Sequence, residues 1–299
     1  MSFAIRCLEL SKQFRRVQAL ERLDLDVPEG AVYALIGANG AGKTTAIRTM
    51  MNIYEPDAGL VEIAGKDSRQ LRGRDFRQIG YVSENQKMPE WMTVDYLMRY
   101  LKPFYPAWDD AMASDLLRRF GLPGDRKISQ LSRGMRMKTA LASSLAYHPP
   151  LVILDEPFTG LDPLVRDEFI EGLIENAEGT TILISSHDMA EIESFASHAG
   201  YLENGKMQFS EEMASLSARF REVEVTLGAP SEVPRNWPVD WLRPETTPAV
   251  VRFVDTHFDE ETIGERVRKM FPRMTDLSAR AMPLREIFVT LAREQRRAA

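Results

Sequence analysis

Residues 1 to about 215 of this chain predict an α/β domain, and residues 216–299 predict a small α+β extension. Three observations carry that prediction. The short apolar run Val32–Ile36 leads into the glycine-rich segment Gly37-Ala38-Asn39-Gly40-Ala41-Gly42-Lys43-Thr44-Thr45, the order strand, loop, helix of a parallel sheet. A second apolar run, Leu151-Val152-Ile153-Leu154, ends in the paired carboxylates Asp155 and Glu156. Between the two, residues from about 84 to 148 lack strand signals and read as a helical subdomain.

Residues 3 to about 82 are expected to form an antiparallel edge and the start of the parallel sheet, with turns at Pro28-Glu29-Gly30 and Pro56-Asp57-Ala58-Gly59. The opening Met1-Ser2-Phe3-Ala4-Ile5-Arg6-Cys7 reads as an edge strand without a signal-peptide pattern. A helix is expected to start near Gly42 and continue through Ala46-Ile47-Arg48-Thr49-Met50. In the helical subdomain, Met88, Trp91, Met92, Tyr96, Tyr100, Phe104, Tyr105 and Trp108 form a Met- and aromatic-rich stretch. More than half of it is expected in the core, with Met88, Trp91 and Met92 as the exposed members. The strand-like residues 180–186 precede His187, and Leu202-Glu203-Asn204-Gly205-Lys206-Met207 reads as a hairpin turning at Asn-Gly. Beyond 215, alternating Val223, Val225 and Leu227 lead through a Pro-rich loop (Pro230, Pro234, Pro238, Pro244, Pro248) to strand-like 250–254 and helical spacing at 262–271 and 283–297.

The glycine-rich segment satisfies G-x-x-x-x-G-K-[ST], which binds nucleotide phosphates. Its backbone N–H groups and the following helix N-terminus point into one concavity. Lys43 adds a point charge for phosphate, and Thr44 offers a hydroxyl to Mg²⁺. Asp155 and Glu156 at the end of an apolar strand form a Walker B pattern: Asp155 for the Mg²⁺ shell, Glu156 to orient or deprotonate the attacking water.

Three shorter signals between and after these motifs, in their order and spacing and with Phe14 ahead of them, give a resemblance to the nucleotide-binding subunit of ATP-binding cassette (ABC) transporters over residues 3 to 215. Leu131-Ser132-Arg133-Gly134-Met135 stands where the family's signature stands, Gly160-Leu161-Asp162 resembles the D-loop, His187 the switch histidine, and Phe14 an aromatic that stacks on adenine. The resemblance implies a P-loop NTPase fold with a RecA-like sheet core, an antiparallel edge sheet and a helical subdomain. It implies ATP and Mg²⁺ as ligands, with Phe14, Gly37, Asn39, Gly40, Ala41, Gly42, Lys43, Thr44, Thr45, Ser132, Gly134 and Asp162 at the nucleotide. Glu156, His187 and Lys43 are the implied catalytic groups, and Ser132 and Gly134 cap the γ-phosphate of an opposite protomer. The implied partners are a second copy in a head-to-tail homodimer and a separate integral-membrane permease, with the chain peripheral on the cytoplasmic face and export as the expected direction.

Two segments depart from the family pattern. Arg133 replaces a glycine, beside Met135 in place of a glutamine, and is expected to reach nucleotide or a neighbouring acid. Glu84 stands in the place of the Q-loop glutamine, with Gln86 two residues later, and is expected among the Mg²⁺ ligands with Thr44 and Asp155.

Composition bounds the function class. The 299 residues are 44% hydrophobic and 27% charged, and no run approaches the roughly 18 apolar residues of a membrane helix. Cys7, the single cysteine, cannot form an internal disulfide. Net charge is −6, with 24 Lys+Arg against 31 Asp+Glu in residues 1–215 and 14 against 13 beyond, so neither part has the basic surface that nucleic acid demands. Arg293-Glu294-Gln295-Arg296-Arg297 is a small basic tail that reads as a solvated helix end. The competing reading is a soluble ABC-type ATPase switch acting on a protein or ribosomal partner.

Overall fold

The computed structural model describes residues 2–176, 179–228 and 236–298, without the side chains of Ala292 and residues 295–298. Pro230 and Pro234, and the side chains of the expected tail at 296 and 297, lie outside what is described. The chain divides into two compact units, Met1–Ser210 and Glu211–Ala299, five residues before the boundary expected after 215.

The first unit opens with β1 (Phe3–Phe14), β2 (Val17–Pro28), β3 (Val32–Ile36) and α1 (Lys43–Met50). It continues through β4 (Ala58–Ile63), β5 (Lys66–Asp67), α2 (Gly73–Phe76) and β6 (Ile79–Ser83). The helical layer is α3 (Val94–Leu101), α4 (Asp110–Arg119) and α5 (Arg133–Leu145). Then come β7 (Leu151–Asp155), α6 (Pro163–Asn176), β8 (Thr181–Ser186), β9 (His198–Glu203) and β10 (Lys206–Glu212).

One sheet has the order β2-β1-β4-β5, the other β10-β9-β3-β8-β7-β6. β3, β7 and β8 are parallel and buried on both faces, which is why Val32–Ile36, Leu151–Leu154 and Ile182–Ile184 read as apolar runs rather than alternating ones. β1 is not the edge strand its sequence predicts: it pairs β2 on one side and β4 on the other, with Ile5 opposite both Val27 and Ile63. Ile5, Cys7 and Leu10 are buried as an interior strand requires. The neighbour that covers its second edge arrives only after α1, so local sequence carries no sign of it. The β9–β10 hairpin turns at Asn204 and Gly205, with φ of 50° and 79°, the left-handed pair a type I′ turn needs.

In the helical layer, Thr93 caps α3, its hydroxyl accepting from the Tyr96 amide at 3.2 Å. Met92 just before the cap is buried with Val94, Leu97, Ile128 and Leu131, correcting its expected exposure. It is the outer half of a hydrophobic staple with Leu97, which draws it under the helix. Met88 is half-buried and Trp91 exposed, while Tyr96, Tyr100 and Phe104 are also exposed.

The second unit adds α7 (Met213–Arg219), β11 (Arg221–Leu227), β12 (Trp241–Thr246), β13 (Val250–Asp255), α8 (Ile263–Met270), β14 (Met274–Ala281) and α9 (Leu284–Ala298). Its antiparallel sheet has the order β12-β13-β11-β14. Val223, Val225, Leu227, Val251 and Phe253 alternate onto one face and pack against Ile263, Val267 and Phe271. Asp255 is wholly buried there, and burial pushes its carboxyl up despite donors from Trp241 Nε1 at 3.1 Å and the His257 amide at 2.9 Å.

Candidate functional site

The site lies where β3, β7 and β8 end side by side. β3 delivers Gly37, whose amide donates to the Ser186 carbonyl at 3.2 Å. A Cβ on Gly37 would stand 2.3 Å from the Leu202 carbonyl oxygen, so only glycine lets the loop pass β9. Gly42, with φ of 112°, forms the N-cap of α1 and supplies no side-chain cap. The first-turn amides of α1 therefore keep the donor character that every helix start has. Ala38, Asn39 and Gly40 are exposed on the turn, Ala41 packs in the core, and Thr45 is half-buried, its carbonyl accepting from Thr49 at 2.8 Å.

The side chains converge on Lys43. Its ammonium is buried, donates to the Gly37 and Ala38 carbonyls at 2.5 and 3.2 Å, and pairs with Glu156 Oε1 at 2.9 Å. Glu156 Oε2 meets His187 Nδ1 at 2.8 Å and accepts from the Thr159 hydroxyl at 3.2 Å. Burial alone would raise the Glu156 carboxyl, but His187 and Lys43 outweigh it and hold it below the ordinary value. The same hydrogen bond to Glu156 raises the His187 imidazole. Glu156 sits at φ 52°, a left-handed conformation uncommon for a side-chain-bearing residue.

Asp155 lies one residue back on β7. Its Oδ1 accepts from Thr44 and from Ser185, both at 3.0 Å, and burial dominates a rise in its carboxyl pKa. A hydroxyl and a carboxylate 3.0 Å apart are hard oxygen donors suited to a small divalent cation beside phosphate. Glu84, grouped with them from sequence, turns its carboxylate instead to Arg133, whose Nη2 donates to Oε1 at 2.6 Å.

Ser132 caps α5, its hydroxyl accepting from the Met135 amide at 3.2 Å, and remains exposed. Gly134 is buried against Val165, and Asp162 caps the start of α6 through the Val165 amide at 3.0 Å. Among the described residues, no hydrogen bond or ion pair joins Ser132, Gly134 or Asp162 to residues 37–45. Phe14, 39% exposed at the end of β1, stands edge-on to Tyr54 with centroids 5.1 Å apart. Two further groups escape the sequence reading. Ser185 pairs in register with Asp155 and also accepts from the Glu156 amide at 2.9 Å, and Thr159 orients Glu156. A serine two residues before His187 on an apolar strand is the available signal for the first.

The ABC transporter family profile matches residues 20–159. The lantibiotic transport ATP-binding protein SrtF of Streptococcus pyogenes is 32% identical over 70% of this chain and 90% of its own length. The chain belongs to the ABC transporter family. Within that family, the probable sulfate/thiosulfate import ATP-binding protein CysA of Chlorella vulgaris is 32% identical over 66% of this chain and 86% of its own length. A solved structure titled as an ATP binding subunit of an ABC transporter superposes with a TM-score of 0.65 at 30% identity, covering 72% of this chain and 92% of that one. The chain thus carries an ABC-type ATPase cassette, and residues 37–45 lie within the matched segment.

Proposed function

We propose that this chain is the Mg²⁺-dependent ATP-hydrolysing subunit of an ABC exporter, working as a head-to-tail homodimer on the cytoplasmic face beside a separate permease. The observation that carries the reading is the linked set Lys43, Glu156 and His187 next to Thr44 and Asp155. Lys43 gives up its contact with Glu156 to neutralise the β- and γ-phosphates, while the loop amides of 37–45 receive phosphate oxygens. Glu156, freed from Lys43, orients the attacking water, and His187 keeps the carboxylate aligned and contacts the γ-phosphate. Thr44 and Asp155 would hold Mg²⁺, and the ion would supply positive charge against the phosphate. Phe14 offers a ring face to adenine.

Ser132 is exposed and, among the described residues, makes no hydrogen bond to 37–45, which supports its capping the ATP of a second chain together with Gly134 and the D-loop Asp162. Trp91, Tyr96, Tyr100 and Phe104 are exposed, an adaptable surface suited to a permease helix. Likeness to a lantibiotic transport protein supports export. Among the described residues no helix is long and apolar enough to cross a membrane.

The test is a tagged pull-down of the Glu156→Gln variant from detergent-solubilised membranes with ATP and Mg²⁺. A co-eluting multi-span membrane protein supports the reading and identifies the substrate-choosing subunit. A soluble partner or the dimer alone, with membrane proteins well extracted, transfers the chain to the soluble-switch class.

A further inference from the structure

Glu84 and Arg133, the two charged departures from the family pattern, lie 49 residues apart in the chain and meet in space, Arg133 Nη2 standing 2.6 Å from Glu84 Oε1. Glu84 is anchored from the other side, because its amide donates to the Asp155 carbonyl at 3.0 Å and extends the β6–β7 ladder by one residue. Arg133 is the first residue of α5, directly after the Ser132 cap. Its guanidinium also lies against Gly160: a Cβ at that glycine would stand 2.8 Å from Nη1 and 3.1 Å from Cζ. Gly160 follows Thr159, which holds Glu156. One guanidinium therefore joins the loop at the end of β6, the start of α5 and the turn 156–160.

We propose that Arg133 is a positioning residue whose pair with Glu84 restrains the start of α5 against its own sheet, and that this restraint opens when the signature turns to a second chain's ATP. A glycine at 133 would offer no such partner, and a glutamine at 84 would offer only a neutral one. The last part rests on the homodimer proposed above; the restraint itself does not. Arg133 and Glu84 side chains are 46% and 30% exposed, so solvent screens the pair and its effect on an equilibrium is about threefold.

Two measurements on the Glu156→Gln protein test this. Without ATP, hydrogen exchange at the amides of residues 136–140 should quicken about threefold in Glu84→Gln and in Arg133→Gln, and no further in the double variant. With Mg²⁺ and ATP, light scattering should show the ATP concentration for half-dimerisation falling about threefold in each single variant and no further in the double. Unchanged exchange, or effects that add in the double, overturn the restraint. So does an Arg133→Gln variant that needs more ATP while Glu84→Gln needs less, since Arg133 would then be contacting nucleotide. A parent that binds ATP yet stays monomeric overturns the dimer reading, and the ATP-free exchange still decides the restraint.

Discussion

Replacing Gly134 by Ala separates packing from phosphate contact at the signature. A Cβ there would stand 2.6 Å from Val165 Cγ1 and 3.5 Å from its Cβ and Cγ2. Carbon atoms prefer about 3.5–4.0 Å, so the overlap is close to about 1 Å. Val165 lies on α6 and, being β-branched in a helix, has one strongly preferred rotamer, so relief requires α5 and α6 to separate. Such overpacking costs about 1–3 kcal/mol. Alanine recovers about 0.5–1 kcal/mol over glycine within a helix, which leaves the clash ahead. We expect a net loss of about 1–2 kcal/mol, a fall of about 3–6 °C in the melting transition of a unit this size by scanning calorimetry. Adding Val165→Ala removes the clashing methyl and should return most of that loss. ATP-dependent dimerisation should stay impaired in the rescued double if Gly134 also approaches phosphate. A Gly134→Ala variant as stable as the parent, or a loss untouched by Val165→Ala, refutes the steric argument.

Glu156→Gln should lower steady-state ATP turnover about 10²-fold or more while nucleotide binding persists; unchanged turnover removes Glu156 from the chemistry. Gly37→Ala meets the Leu202 carbonyl at 2.3 Å, backbone with no side chain to yield, so it should cost about 3 kcal/mol and exceed the Gly134→Ala loss in urea unfolding. The Glu156–His187 pair sets a pH window. Glu156 is lowered from 4.5, so its contribution is present above that value and lost as pH falls through the folded one. His187 is raised from 6.5, so its contribution is complete below that value and lost as pH rises through the folded one. His187→Gln should therefore destabilise more at pH 6 than at pH 9, by at most about 1 kcal/mol because the imidazole is 38% exposed. Equal urea midpoint shifts at the two pH values would dismiss the ion pair.

The phosphate loop, the Asp155-Glu156 strand end and the Asn204-Gly205 turn are legible in sequence because each is a local device. A left-handed N-cap, a carboxylate at a strand end and a type I′ turn are written in adjacent residues. Met92 departs from its expected exposure because exposure depends on what folds over a residue: the Thr93 cap and Leu97 draw it inward, while the same aromatic-rich stretch leaves Tyr96, Tyr100 and Phe104 outside. β1 reads as an edge from its own residues because β4, the strand that closes it, lies beyond α1.

Sequence alone supplies the groups proposed to hold phosphate, a divalent cation and water, and the order in which they follow along the chain. Which of them share a site is settled only by tertiary packing. Parallel register placed Ser185 beside Asp155, and strand-end geometry brought Lys43 and His187 to opposite oxygens of Glu156. Glu84 went to Arg133 because a carboxylate takes the cation that the folded backbone sets within its reach, and that distance is fixed by packing between segments far apart in the chain.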